Sequence, residues 1–176
     1  MRFAVGFVLL ALAWYGYKNI FIGALCFAFL LDAIDGPIAR HYHMTSVQGA
    51  RLDSIADFTI YITLLISLFM LWPEIVEQEK VFIILAILAI ITPAITGIIK
   101  FGITTSYHTW LVKISSVLFA PSIILLILGG PSWPFRIAVI IGILASLEEI
   151  IITLILEKPR SDVKHIFAVI ATRNES

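Results

Sequence analysis

The chain has 176 residues, of which 60% are hydrophobic and only 14% charged, and it carries no formal net charge. Charge this sparse cannot cover the surface of a soluble domain, and a neutral chain exerts no bulk electrostatic pull on nucleic acid. A single cysteine, Cys26, excludes an intrachain disulfide.

The long apolar runs predict an all-α, polytopic membrane protein with six transmembrane helices. Span one runs from Arg2 to about Tyr15. Met1-Arg2 followed by apolar residues resembles a signal peptide, but no small-residue cleavage site follows, so it reads as a retained span. A turn at Lys18-Asn19 leads to span two, Ile20–Leu31, whose helix is expected to continue through Arg40. His41–Gln48 reads as a polar loop, and span three as Gly49–Trp72, stopped by Pro73. Glu74–Lys80, with three glutamates, reads as a polar connection. Span four is Val81–Lys100, with bends expected at Pro93 and Gly97. A second polar connection, Phe101–His108, precedes span five, Thr109–Leu128. Gly129-Gly130-Pro131-Ser132-Trp133-Pro134 is a turn signal. Span six runs from Phe135 to Leu156 with Glu148 and Glu149 late in it, and a polar tail follows from Glu157. The sequence shows neither an internal repeat nor a low-complexity segment.

Six spans put both termini on one side of the membrane. That side then holds Arg2, Arg40, Arg51, Lys100, Lys113, Lys158, Arg160, Lys164 and Arg173, against Lys18, Lys80 and Arg136 on the other. The positive-inside bias places the termini and the segment Asp32–Asp57 at the cytoplasmic face of the cell membrane.

That segment concentrates four carboxylates in an otherwise apolar stretch of chain. In a helix, Asp32, Asp35, Gly36, Ala39 and Arg40 stand at i, i+3, i+4, i+7 and i+8, on one face. Gly49, Asp53 and Asp57 stand at i, i+4 and i+8, again one stripe. Two helices joined by a short loop would aim all four acids at one spot. Carboxylates converging there lose hydration and repel one another, a cost met by protonation or by cations. Oxygen-only donors suit hard ions, so Mg²⁺ or Mn²⁺ is the expected cofactor, and four acids have room for two ions. Such a pair stabilises a phosphoryl displacement. Arg40 offers a bidentate grip on phosphate. Gly36, Ala39 and Gly49 keep the face shallow enough for a flat base and ribose. Pro37 leaves the Ala33 carbonyl without its usual donor.

Asp32-x2-Asp35-Gly36-x2-Ala39-Arg40-x8-Gly49-x3-Asp53-x3-Asp57 resembles the complete signature of the CDP-alcohol phosphotransferases, with no position substituted. The resemblance implies a metal-dependent enzyme of phospholipid synthesis. Such an enzyme displaces CMP from a CDP-alcohol, here CDP-diacylglycerol, with a second alcohol. It also implies that Asp32, Asp35, Asp53 and Asp57 hold two metal ions, with Asp57 the catalytic base. The CDP group would lie against Asp32, Gly36, Ala39, Arg40 and Gly49. Lys113, near Tyr107-His108-Thr109, matches a basic acceptor or phosphate contact. A homodimer is implied as well. Residues 1–157 are then the transmembrane catalytic domain and 158–176 a cytoplasmic tail. The chain departs from many members in starting almost directly inside span one, where they carry an amphipathic stretch with a Pro-Asn pair.

Other residues have plainer readings. His41 and His43 read as solvated loop residues, and so does His108. Glu148 and Glu149 read as structural or dimer-related, and Lys113 also suits a snorkelling anchor. The rival function is a transporter that moves cations or protons through buried carboxylates. A transporter would show repeated halves or paired broken helices, whereas these four acids occupy one third of the chain.

Overall fold

The computed structural model describes the backbone of residues 2–41, 47–103, 107 and 109–157, and their side chains except at 2, 3 and 32–58. The described residues are helical and form no strand. The helices are α1 (Arg2–Trp14), α2 (Lys18–His41), α3 (Val47–Leu71), α4 (Pro73–Phe101), α5 (Trp110–Ile127) and α6 (Trp133–Ile155). Three of them, α4, α5 and α6, are long and apolar enough to cross a membrane. In α1, α2 and α3 the apolar stretches found are shorter, Ala4–Trp14, Lys18–Leu31 and Thr59–Leu71. The chain divides into two compact units, residues 1–78 and 79–176.

In the first unit α1 packs on both α3 and α2. Its buried Leu9 and Ala13 recur one turn apart. Among the described residues the buried apolar positions on α2 are Phe21, Leu25 and Ala28, and on α3 Leu64, Leu68 and Leu71. Both sets follow i, i+4, i+7, the spacing of one helix face. Gly6 lies against α3, where a Cβ would sit at ordinary contact distance, 3.6 Å, from both Thr59 Cγ2 and Thr63 Oγ1. The α1–α2 turn closes through Gly16 at φ 75°, a left-handed conformation that glycine adopts without penalty. It therefore falls two residues before the expected Lys18-Asn19 turn.

Two expected connections are helical at their edges. His41 closes α2, and Val47 and Gln48 open α3, so the predicted His41–Gln48 loop is shorter. Pro73, read as the stop of span three, does follow the end of α3 and is also the first residue of α4. Its missing N–H falls where a helix start has no intrahelical acceptor to offer. Glu74–Lys80 is accordingly helix and not a polar connection. Glu74 in the first turn complements the helix dipole. Val76 is buried, and so is Glu79. The departure from helical geometry in α4 lies at Glu79 (φ −107°, ψ 15°), while the helix runs on through Pro93 and Gly97, where bends were expected.

The second unit is held by α5 against α6. Gly142 brings Ser115 in, since a Cβ there would lie 3.1 Å from Ser115 Oγ. The Phe119 and Phe135 rings pack 5.9 Å apart. Thr92 Oγ1 and Ser146 Oγ, 3.1 Å apart, link α4 to α6. α5 starts where Thr109 accepts a hydrogen bond from the Val112 N–H. α6 begins at Trp133, two residues earlier than expected, because Pro134 sits in its first turn and does not end the preceding loop.

Candidate active site

The signature falls on the last ten residues of α2 and the first eleven of α3. Asp32, Asp35, Gly36, Ala39 and Arg40 lie in continuous helix through Pro37, and Gly49, Asp53 and Asp57 lie in helix as well. The one-face registers read from the spacing therefore hold for the backbone. The side chains of these eight residues lie outside the described ones.

Contacts at the opposite ends of the two helices place both acidic segments at one end of the unit. Phe21, near the start of α2, meets Trp72, which follows α3, with ring centroids 5.7 Å apart. Lys18 Nζ lies 5.6 Å from the Trp72 ring. The start of α2 is thus pinned to the end of α3, so the two helices run antiparallel. At 1.5 Å per residue, Asp35 lies about 21 Å along α2 from Phe21, and Asp57 lies about 22 Å back along α3 from Trp72. By the same arithmetic Arg40 and Asp53 share a level about 28 Å from the pinned end. Asp57 is the acid of α3 nearest the pinned end.

Of the remaining predicted residues, Lys113 is exposed in the first turn of α5, with Nζ 5.3 Å from the Trp110 ring. A lysine stacked on an interfacial tryptophan suits a snorkelling anchor as well as a ligand contact. Lys100 is committed elsewhere. Its ammonium donates to the Leu154 carbonyl at 2.7 Å, one of the last carbonyls of α6, and lies 5.5 Å from the Phe101 ring. His43 and His108 lie outside the described residues. No group of three or more His, Cys, Asp or Glu gathers among the residues whose side chains are described.

Two arrangements were not foreseen in the sequence. Glu79, 2% exposed, takes a bidentate grip from Arg136, with Nε donating to Oε2 at 2.9 Å and Nη2 to Oε1 at 2.8 Å. Arg136 also stacks on Phe82 at 5.3 Å. At the other end of the unit Glu149 Oε1 accepts the Tyr107 N–H at 3.2 Å. Thr153 Oγ1 lies 3.0 Å from Tyr107 Oη and 2.8 Å from the Glu149 carbonyl. Glu149 thus has a partner within its own chain, in keeping with the structural one of its two readings. The i, i+4 spacing of Glu149 and Thr153 was a visible signal, but their partner 42 residues away was not.

Compared with known families, residues 1–155 match the model described as CDP-alcohol phosphatidyltransferase. Neither a curated protein nor a solved structure matches the chain.

Proposed function

Because the chain belongs to the CDP-alcohol phosphatidyltransferase family, we propose that the α2–α3 signature is its reaction centre and that CDP-diacylglycerol is its donor. The protein is a membrane transferase of phospholipid synthesis, and its family uses a CDP-alcohol and an alcohol acceptor. The observation that carries the site assignment is the antiparallel pinning of α2 to α3, which sets both acidic helix segments at one end.

In this reading each of the six helices crosses the membrane, with the termini and the site at the cytoplasmic face. The short α1 then reaches the headgroups through Tyr15 and Tyr17, both exposed beside Trp14. Residues 1–157 form the catalytic domain and 158–176 its cytoplasmic tail. The functional assembly is a homodimer, a proposal that rests on the family alone.

Asp32, Asp35, Asp53 and Asp57 form an all-oxygen donor set that fits two Mg²⁺ or Mn²⁺ ions. Bound there, the ions would offset the repulsion among the carboxylates and the charge of the phosphates. Gly36, Ala39 and Gly49, with Asp32, cradle the CDP group, and Arg40 holds its phosphates through a planar fork. The acceptor hydroxyl oxygen attacks the phosphorus that carries the donor alcohol. As that P–O bond forms, the bond from the same phosphorus to the CMP oxygen breaks, and CMP leaves with the electron pair. Asp57 takes the hydroxyl proton, while Arg40 stabilises the negative charge growing on the leaving phosphate. Lys113 contacts the acceptor or its phosphate.

The test is a Mg²⁺ titration of CMP release from CDP-diacylglycerol. Asp53→Asn removes a ligand and should regain part of its activity in excess metal. Asp57→Asn should stay down by about 10²–10⁴ at every concentration, the loss typical of a missing general base. Equal rescue of the two variants would make Asp57 a ligand only. The transporter reading gains nothing from the structure. It predicts ion flux without CMP release, so a protein that moves cations across vesicles but never forms CMP would restore it.

A further inference from the structure

Glu149 stands in an apolar helix of a membrane protein, where a polar side chain is costly unless it finds a partner. It accepts one backbone N–H, that of Tyr107. Tyr107 is fully buried, packed among Ile152, Leu156, Phe101 and Ile155, and its hydroxyl meets Thr153 one turn beyond Glu149. α6 therefore grips Tyr107 at both its backbone and its side-chain tip. Two residues later Thr109, also fully buried, caps α5, and its carbonyl accepts the Lys113 N–H at 3.1 Å. The chain of contacts runs from Glu149 through Tyr107 and Thr109 to the helical turn that carries Lys113. α4 ends at Phe101, followed by Gly102 in the left-handed conformation at φ 70°.

We infer that Glu149 is a positioning residue for the acceptor side of the reaction: it fixes the first turn of α5, and with it Lys113. This rests on the assignment of Lys113 proposed above. The CDP-binding signature lies wholly in α2 and α3, so the effect of Glu149 falls on acceptor use and not on donor use. Lys100 is not available for the same task, because its ammonium already serves the last turn of α6.

The experiment uses the full-length enzyme in lipid nanodiscs, with CDP-diacylglycerol as donor and glycerol phosphate, serine and inositol phosphate offered in turn as acceptors. Glu149→Leu should raise the acceptor KM about tenfold, the scale of one lost hydrogen bond to a charged group. The donor KM should stay within about twofold. Glu149→Gln keeps an oxygen for the Tyr107 N–H and should restore an acceptor KM close to wild type. In a double-mutant cycle, Glu149→Leu should add nothing to Lys113→Gln, since it acts through that residue. Hydrogen exchange at the Tyr107 amide should quicken in Glu149→Leu and not in Glu149→Gln. Equal shifts in both KM values, an additive cycle, or unchanged exchange at Tyr107 would each overturn the inference. If Glu149→Leu does not accumulate, Glu149→Ala removes the same acceptor with less bulk and carries the same comparison. Failure of the wild type to release CMP with any acceptor would count against the functional reading itself, and the exchange measurement decides the Glu149–Tyr107 contact independently of it.

Discussion

The paired hydroxyls of Tyr107 and Thr153 make an asymmetric prediction. Both residues are fully buried. Thr153 has one hydroxyl hydrogen, which serves the Glu149 carbonyl at 2.8 Å, so the Tyr107 hydroxyl supplies the hydrogen between the two side chains at 3.0 Å. Tyr107→Phe deletes that donor and leaves Thr153 bonded to the carbonyl, so no polar group is stranded. The loss should be about 0.5–1.5 kcal/mol, that of one ordinary hydrogen bond. Thr153→Val instead leaves the tyrosine hydroxyl facing Ile152 and Leu156 with its partner gone, a desolvation penalty of about 1–3 kcal/mol. The threonine substitution should therefore be the more damaging, although it keeps the size and shape of the side chain. The double variant strands nothing and should fall near Tyr107→Phe alone. Unfolding by SDS titration in mixed micelles, followed by tryptophan fluorescence, measures all three. In a thermal melt each kcal/mol should appear as a shift of about 2–4 °C for a chain of this size. A Tyr107→Phe variant less stable than Thr153→Val, or a double variant less stable than either, would refute the hydrogen assignment.

Three further outcomes are expected. Arg136→Leu should destabilise the protein more than the double Arg136→Leu/Glu79→Leu, because only the single change strands a buried carboxylate; the same SDS titration checks the order. Gly130→Ala should destabilise more than Gly16→Ala. A Cβ at Gly130 would lie 2.8 Å from the Leu125 carbonyl oxygen, whereas at Gly16 it meets open space and only the positive φ opposes it, at about 1 kcal/mol. A reporter fused after Ser176 should read cytoplasmic and one inserted after Gly130 should read cytoplasmic never, since the proposed α5–α6 turn lies across the membrane. Swapped reporters would invert the orientation.

Much of the helical architecture was legible because apolar runs and helix spacing are local properties. The boundaries of α5 follow from Thr109 as a cap and from the glycines after Leu128. The register of the signature was legible for the same reason, and its backbone in α2 and α3 is helical as the spacing requires. What escaped was set by distant partners. Glu74–Lys80 looks like a loop because it is charged, yet Glu79 finds Arg136 57 residues later, and with that pairing the segment can be both helical and partly buried. Pro73 looks like a stop, and locally it is one for α3, but its lack of an N–H equally qualifies it to start α4. Pro93 and Gly97 were expected to bend α4, while the non-helical dihedrals fall at Glu79, where the ion pair holds them.

Partners, more than burial, separate the acids of this chain by role. An ionisable residue in an apolar helix is by default a candidate for function, and on that rule Glu79 and Glu149 rank with the four aspartates. Within the second unit the rule overreaches for Glu79. Its carboxylate is bound on both oxygens by one guanidinium, an arrangement that satisfies it and leaves little for a substrate to recruit. Glu149 is a weaker case of the same kind: among the described residues it holds a neutral backbone N–H, which is why its effect is expected through the α5 start and not by touching substrate. The aspartates differ in what their spacing provides. Two stand on α2 and two on α3, in backbone segments at one end of an antiparallel pair, and in the proposed site bound cations would offset their mutual repulsion.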